Sequence, residues 1–279
     1  MPISSRAVLL AIFFQSNSNP YFSSYASFHA MATIKSSPAS FMRPARSNLA
    51  TAAISDETLH QQLPPVKELS QAAGSRDFLV ISPYIETPHL LDLSTVEPQA
   101  QLLAVALTRL KSVREDYATA PYEQIFNWSE VIATLRQLCA IKEQTWTEQI
   151  FYIVVFRSQI PPTTDYSHLG VLDKAAHAEA MKSGGFLKSV MASHCEKSCH
   201  DKLTLFRYWF GSPDHLGRNL ATCVWRTQGD ARLGGIGPAH RLAAGAARNM
   251  YTEWSIDRLG LLIKNGLESW EISRWVSDA

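Results

Sequence analysis

The chain has 279 residues, 26 Lys+Arg against 25 Asp+Glu, 46% hydrophobic and 18% charged residues, the balance of a globular protein. A net charge of +1 argues against a dedicated nucleic-acid binder, which carries a basic face. No apolar run reaches the ~18–20 residues of a membrane span, and four cysteines are too few for a disulfide scaffold.

The charge is uneven. Residues 1–55 hold Arg6, Lys35, Arg43 and Arg46 and no Asp or Glu. Residues 1–76 therefore read as a disordered tail or a targeting segment. A basic, Ser-rich, acid-free head is the composition of a mitochondrial transit peptide; a cytoplasmic location is the other expectation. Pro64-Pro65 and Gly74-Ser75 mark the linker into the ordered part.

Residues 77–145 read as a helical lead-in. Phe78–Ile81 is a short β-prone run. Ser94 to Glu97 fits a capping box with Pro98 in the first turn, and Leu102, Leu103, Ala106, Leu107 and Leu110 follow at helical spacing. After a polar loop from Arg114 to Phe126, Val131, Ile132, Leu135, Leu138 and Cys139 mark a second amphipathic helix behind Asn127.

From residue 146 to 275 the pattern changes. Ile150–Phe156 is a β-branched and aromatic run, ended by Pro161-Pro162. Leu169, Leu172, Ala176 and Ala180 mark a helix stopped by Gly184-Gly185. Tyr208–Phe210 reads as a short strand and Leu220–Trp225 as its return. Gly237-Pro238 opens a helix whose apolar face is Leu242, Ala243, Ala246, Ala247, Met250 and Trp254. Ile256–Ile263 is the last clear strand. This order, βαββαβ, predicts an α+β, ferredoxin-like sheet. A partial internal repeat supports it: Phe156-Arg157-Ser158-Gln159 with Ala176-His177, and Trp225-Arg226-Thr227-Gln228 with Ala239-His240.

Residues 189–207 break that pattern between the helix and its expected strand. Their 19 residues read as a retained intron forming an insertion loop, because the chain without them runs FLK directly into YWFG. His194-Cys195 and Cys199-His200 have the wrong spacing for a zinc site, and no metal is expected.

His177 and His240 are the candidate catalytic residues, since imidazole titrates near neutrality. Arg157 and Arg226, at strand ends, are candidates for holding an anionic small molecule. Strand alternation puts Tyr152 and Phe156 on one face with Trp225, and Tyr208 adds to the aromatic load, so these are candidates to line its pocket. No nucleophile elbow, zincin motif or P-loop is present, and no cofactor is expected on this reading. A rival reading takes Arg232, Gly235 and Gly237 as an RxxGxG loop, the pyrophosphate cradle of acyl-CoA N-acetyltransferases, with acetyl-CoA as cofactor. A non-enzymatic structural or interaction role is the third.

The stretches REDYATAPYEQIFNW (114–128), FYIVVFRSQ (151–159), LDKAAHAEAMKSGGFLK (172–188) with YWFGSPD (208–214), and GRNLATCVWR (217–226) with GPAHRLAAGAARNMYTEW (237–254) resemble a family of uncharacterised fungal proteins without assigned activity. Trp225 to His240 is also similar to the second half of antibiotic-biosynthesis-type monooxygenases. Those are dimeric α+β barrels in which two ferredoxin-like sheets face each other. The resemblance implies a homodimer through the sheet face and a cofactor-independent oxygenase or isomerase, as analogy only.

Overall fold

A computed structural model describes residues 78–164, 166–192 and 213–276. The expected tail, the strand at Tyr208–Phe210 and the His194–His200 cluster lie outside the described residues.

The lead-in begins with a two-residue ladder, Phe78–Leu79 (β1) against Leu91–Asp92 (β2). The expected capping box does not form. Asp92 lies two residues before Ser94, and its Oδ1 accepts from both the Ser94 backbone N–H (2.9 Å) and hydroxyl (2.6 Å), a local bond that closes a 3-10 turn instead. The helix starts at Pro98–Ala106 (α1), with Pro98 in its first turn and no side-chain cap. Tyr122–Ile125 is one short turn (α2) inside the expected loop. Trp128–Ile141 (α3) buries the predicted stripe of Val131, Ile132, Leu135, Leu138 and Cys139, each large side chain contributing about 1.5–3 kcal/mol.

The second part runs Gln149–Gln159 (β3), Tyr166–Lys182 (α4), Phe186–Met191 (β4), Arg218–Trp225 (β5), Gln228–Gly235 (α5), Pro238–Met250 (α6), Glu253–Ile263 (β6) and Trp270–Arg274 (β7). The strand order is β4-β5-β3-β6-β7, antiparallel throughout. This is the ferredoxin-like order of a βαββαβ unit with one added edge strand. Glycines 184 and 185, at φ +76° and +68°, stop α4 as read from the sequence.

Three local expectations are corrected. The second strand of the unit is Phe186–Met191, so Ser189, Val190 and Met191 are not loop; they pair with Cys223, Thr222 and Ala221. The inner face of α6 is His240, Ala243 and Ala247, while Leu242 is 64% exposed and Trp254 lies in β6. The edge strand β7 escaped the sequence reading because it is only five residues long.

The sheet has two covered faces. Register places Tyr152, Val154 and Phe156 opposite Trp225, Cys223 and Ala221. Toward the C-terminal half of β3, this face meets α4 and α6 in a core of Phe156, Leu169, Leu172, Ala176, Ala243 and Tyr251. The alternate residues Phe151, Ile153, Val155 and Val224 share the main core with lead-in residues Leu103, Leu107, Trp128, Ile132 and Leu135. The Tyr122 hydroxyl reaches this second face directly, 2.9 Å from Thr222 Oγ1. The face expected to pair with a second copy is thus filled by the chain's own lead-in, because those apolar stripes and that sheet face bury each other.

Candidate functional site

Asp173 and His177 are one helical turn apart on α4 and so share a face. Both are buried, at 4% and 1% exposure. The segment ahead of β2 folds over them. The Tyr84 hydroxyl donates to Asp173 Oδ2 at 2.5 Å, and His89 Nδ1 stands 3.0 Å from His177 Nδ1. One imidazole must donate and the other accept. The Tyr84 ring lies 4.7 Å from the His89 ring and 5.1 Å from that of His177. Phe186 of β4 lies 5.2 Å from His177 on centroids. Outside, Lys174 bonds Glu86 at 2.5 Å and sits 5.7 Å from the Tyr84 ring centre.

The other candidate, His240, starts α6. Glu179 of α4 accepts from the His240 backbone N–H at 2.8 Å and lies 3.2 Å from its Nδ1. A carboxylate that orients an imidazole and steadies its cation is the logic of a catalytic dyad.

Burial sets the electrostatics. It pushes His177 down to about 3, with His89 and His240 adding to the effect. Burial also lowers His89, against the pull of Glu86, and lowers His240 more than Glu179 raises it. The Tyr84 phenol is raised by burial and by Asp173. Among the described residues His177 Nε2 is buried without a hydrogen-bond partner, whichever tautomer is present.

The remaining sequence candidates have other surroundings. Arg157 and Arg226 both reach toward the lead-in. Arg157 donates to the carbonyls of Ala118 (2.6 Å) and Ala120 (2.7 Å), and Arg226 bonds both oxygens of Asp230 and meets Glu97 at 3.2 Å. Tyr152, Phe156 and Trp225 are buried. Trp225 stacks on Phe186 at 4.3 Å, and Tyr152 meets Trp275 edge-on at 4.9 Å. Tyr208 lies outside the described residues.

The phosphate-loop reading is overturned. Arg232 and Gly235 belong to helix α5, capped by Thr227, whose Oγ1 accepts from Asp230 N. Gly237 does precede a helix, but Glu179 already occupies that N-terminus: a Cβ on Gly237 would collide with its carboxylate. A carboxylate in that place excludes a pyrophosphate by charge and by volume.

Among the described residues, two cavities adjoin the lead-in. One, of about 410 Å³, is bordered by Arg157, Asp257, Tyr122 and Arg274. The other, of about 280 Å³, lies between residues 108–112 and the β4 residues 188–191. Sequence reasoning missed Tyr84, His89, Asp173 and Glu179. His89 lies 88 positions from its partner, and no local pattern joins them.

A family model described as PB2B2.08-like matches residues 80–274. The chain belongs to this family. It is also 34% identical over 224 residues, 77% of this chain and 92% of the relative, to UPF0643 protein PB2B2.08 of Schizosaccharomyces pombe. Three solved structures are similar in part. A mutant of SnoaB, a cofactor-independent oxygenase from Streptomyces nogalater, is 16% identical with a TM-score of 0.27, over 38% of this chain and 89% of that one. A dimeric ferredoxin-like protein of unknown function from Thermobifida fusca is 7% identical with a TM-score of 0.27, over 40% and 92%. An antibiotic biosynthesis monooxygenase assignment from Nitrosomonas europaea is 12% identical with the same TM-score of 0.27, over 42% and 90%. The ferredoxin-like order of this PB2B2.08-like chain stands on its own strand register.

Proposed function

We propose that the protein binds a small molecule at the buried histidine cluster, with His177 Nε2 as the polar contact. The observation that carries this reading is that atom: a buried imidazole nitrogen with no partner among the described residues, where burial without a bond costs about 1–3 kcal/mol. A ligand hydroxyl serves it in either tautomer, because a hydroxyl both donates and accepts. The neighbouring rings of Tyr84 and Phe186 favour an aromatic body.

His240 is the proposed base. His177, pushed down to about 3, takes up a proton too weakly near neutrality, whereas Glu179 stands ready to steady an imidazolium at His240. Proton abstraction from an activated C–H followed by return at another carbon is isomerase chemistry. The same carbanion oxidised by molecular oxygen is cofactor-independent oxygenase chemistry. Either uses these residues without a bound cofactor.

A thermal-shift screen of hydroxylated aromatic compounds tests the binding reading on the intact chain and on His177→Phe. A compound that raises the melting temperature of the intact chain only supports it. Equal shifts in both proteins, or none in either, remove it and leave the cluster as a structural network holding residues 84–89 on α4.

A further inference from the structure

The two edges of the five-stranded sheet differ. At one edge, β4 carries a bulge between Phe186 and Lys188, and its Ser189 N–H donates to the Ile81 carbonyl at 2.9 Å. A bulge and a covering segment are devices that close an edge against further pairing. At the other edge, β7 reads Trp-Glu-Ile-Ser-Arg and has neither proline nor bulge. Two flanking bonds to β6 fix its bonding pattern: Lys264 N–H donates to the Ser269 carbonyl at 3.0 Å, and Trp275 N–H to the Arg258 carbonyl at 2.9 Å. Bonded and non-bonded pairs alternate along an antiparallel ladder. Ser269, Glu271, Ser273 and Trp275 therefore bond toward β6, while Trp270, Ile272 and Arg274 turn their backbone N–H and C=O outward. Among the described residues no strand lies beyond them.

We propose that β7 docks a second copy of this chain, edge to edge and antiparallel, about a two-fold axis at Ile272. Main-chain bonds along the edge hold the pair together. Centred on Ile272, the axis gives every outward N–H and C=O of the three residues a partner. The side chains agree with that register. Trp270 comes opposite the partner's Arg274, a guanidinium against an indole face. Glu271 comes opposite the partner's Ser273, a carboxylate against a hydroxyl donor, and Ile272 meets its own counterpart. The two-fold makes each unlike contact occur twice. An axis one residue back would set Glu271 against itself, and like charges directly opposite are destabilising. An axis one residue on would oppose the apolar Ile272 to the partner's Arg274. Ile272 and Arg274 also border the cavity of about 410 Å³, which gives the partner's side chains space beside them. The joined sheets keep both lead-ins on one side, so the sheet face that the lead-in fills stays covered. The interface is independent of the histidine reading and shares no residue with it.

Sedimentation equilibrium of the full chain should give about twice the monomer mass of 31.1 kDa at micromolar concentration. Arg274→Pro removes an outward N–H and the guanidinium but no bond to β6, and an edge strand tolerates proline on its open side. It should weaken the dimer about tenfold or more, because each loss occurs twice, with an unchanged circular-dichroism spectrum. Cysteine pairs read the register, on a background of Cys195→Ser and Cys199→Ser. Ile272→Cys should give a disulfide-linked dimer when copper phenanthroline passes the thiols' electrons and protons to dissolved oxygen. Bonded Cα pairs about 5.5 Å apart suit that bridge. Arg274→Cys should not cross-link, since its own counterpart stands more than about 13 Å away along the strands. A monomer at every concentration overturns the proposal. So does a dimer that a folded Arg274→Pro leaves equally tight, or one that cross-links at both positions, at neither, or at 274 alone. If Arg274→Pro loses its circular-dichroism signal, the two cysteine variants decide.

Discussion

The histidines give the molecule a definite response to acid. His177, pushed down to about 3 by burial, must charge on unfolding as the pH falls below its ordinary value near 6.5. Its folded value is depressed, so the folded state binds fewer protons than the unfolded one. Stability is therefore complete above about pH 6.5 and declines from there toward pH 3, by about 2 kcal/mol at pH 5 for this group alone. His89 and His240 shift in the same direction. Urea unfolding at pH 7, 6 and 5 should show the loss. His177→Phe, which fills the ring's place beside Phe186, should flatten the slope; an unchanged slope would place the titrating groups elsewhere. His177 and His240 were visible in the sequence because an imidazole on an otherwise apolar helix face stands out. Tyr84 and His89 were not, because their role comes from a long-range fold of the lead-in over α4.

At the level of elements, legibility followed apolar patterning. The helix α3 and the strands β3, β5 and β6 announce themselves through continuous or periodic apolar residues. The helix α5, read as a loop, carries QGDARLGG, and glycine disfavours helix by about 1 kcal/mol against alanine. Capping by Thr227 and the fully buried Ala231 outweigh that. Gly234 is there for space: a Cβ at that position would meet the Trp225 ring at 2.5 Å. Gly234→Ala should therefore destabilise by about 1–3 kcal/mol through overpacking, despite its better helix propensity. A urea midpoint that rises instead would show that the indole can give way. On the other layer, Leu135→Ala should cost about 2–5 kcal/mol, since Leu135 is wholly buried between α3 and the sheet.

For the whole molecule, the lead-in decides how the sheet is used. A ferredoxin-like sheet with helices on one side has an apolar face to hide, and the sequence left open whether a second copy hides it. The lead-in helices do so within one chain. An interface and a core answer the same substitution differently. Leu135→Asp at a subunit interface would release a folded monomer; here it should unfold the chain, with loss of the circular-dichroism signal at every concentration. A folded, dissociated variant would return the sheet face to a homodimer. The coverage was illegible beforehand because two amphipathic helices state that they need a partner and not which one.

The register of β4 bears on the gene as well as on the protein. Ser189, Val190 and Met191 sit opposite Cys223, Thr222 and Ala221, and they begin the segment read as a retained intron. A transcript without those 19 codons would deliver Tyr208, Trp209 and Phe210 to the same three ladder positions. Val190 would then be exchanged for tryptophan on the lead-in side, and Lys188 would keep its place. Sequencing the mature message should show the shorter form, and a message that retains the codons would refute it. On that reading β4 would be completed from either transcript, with different side chains on its two faces.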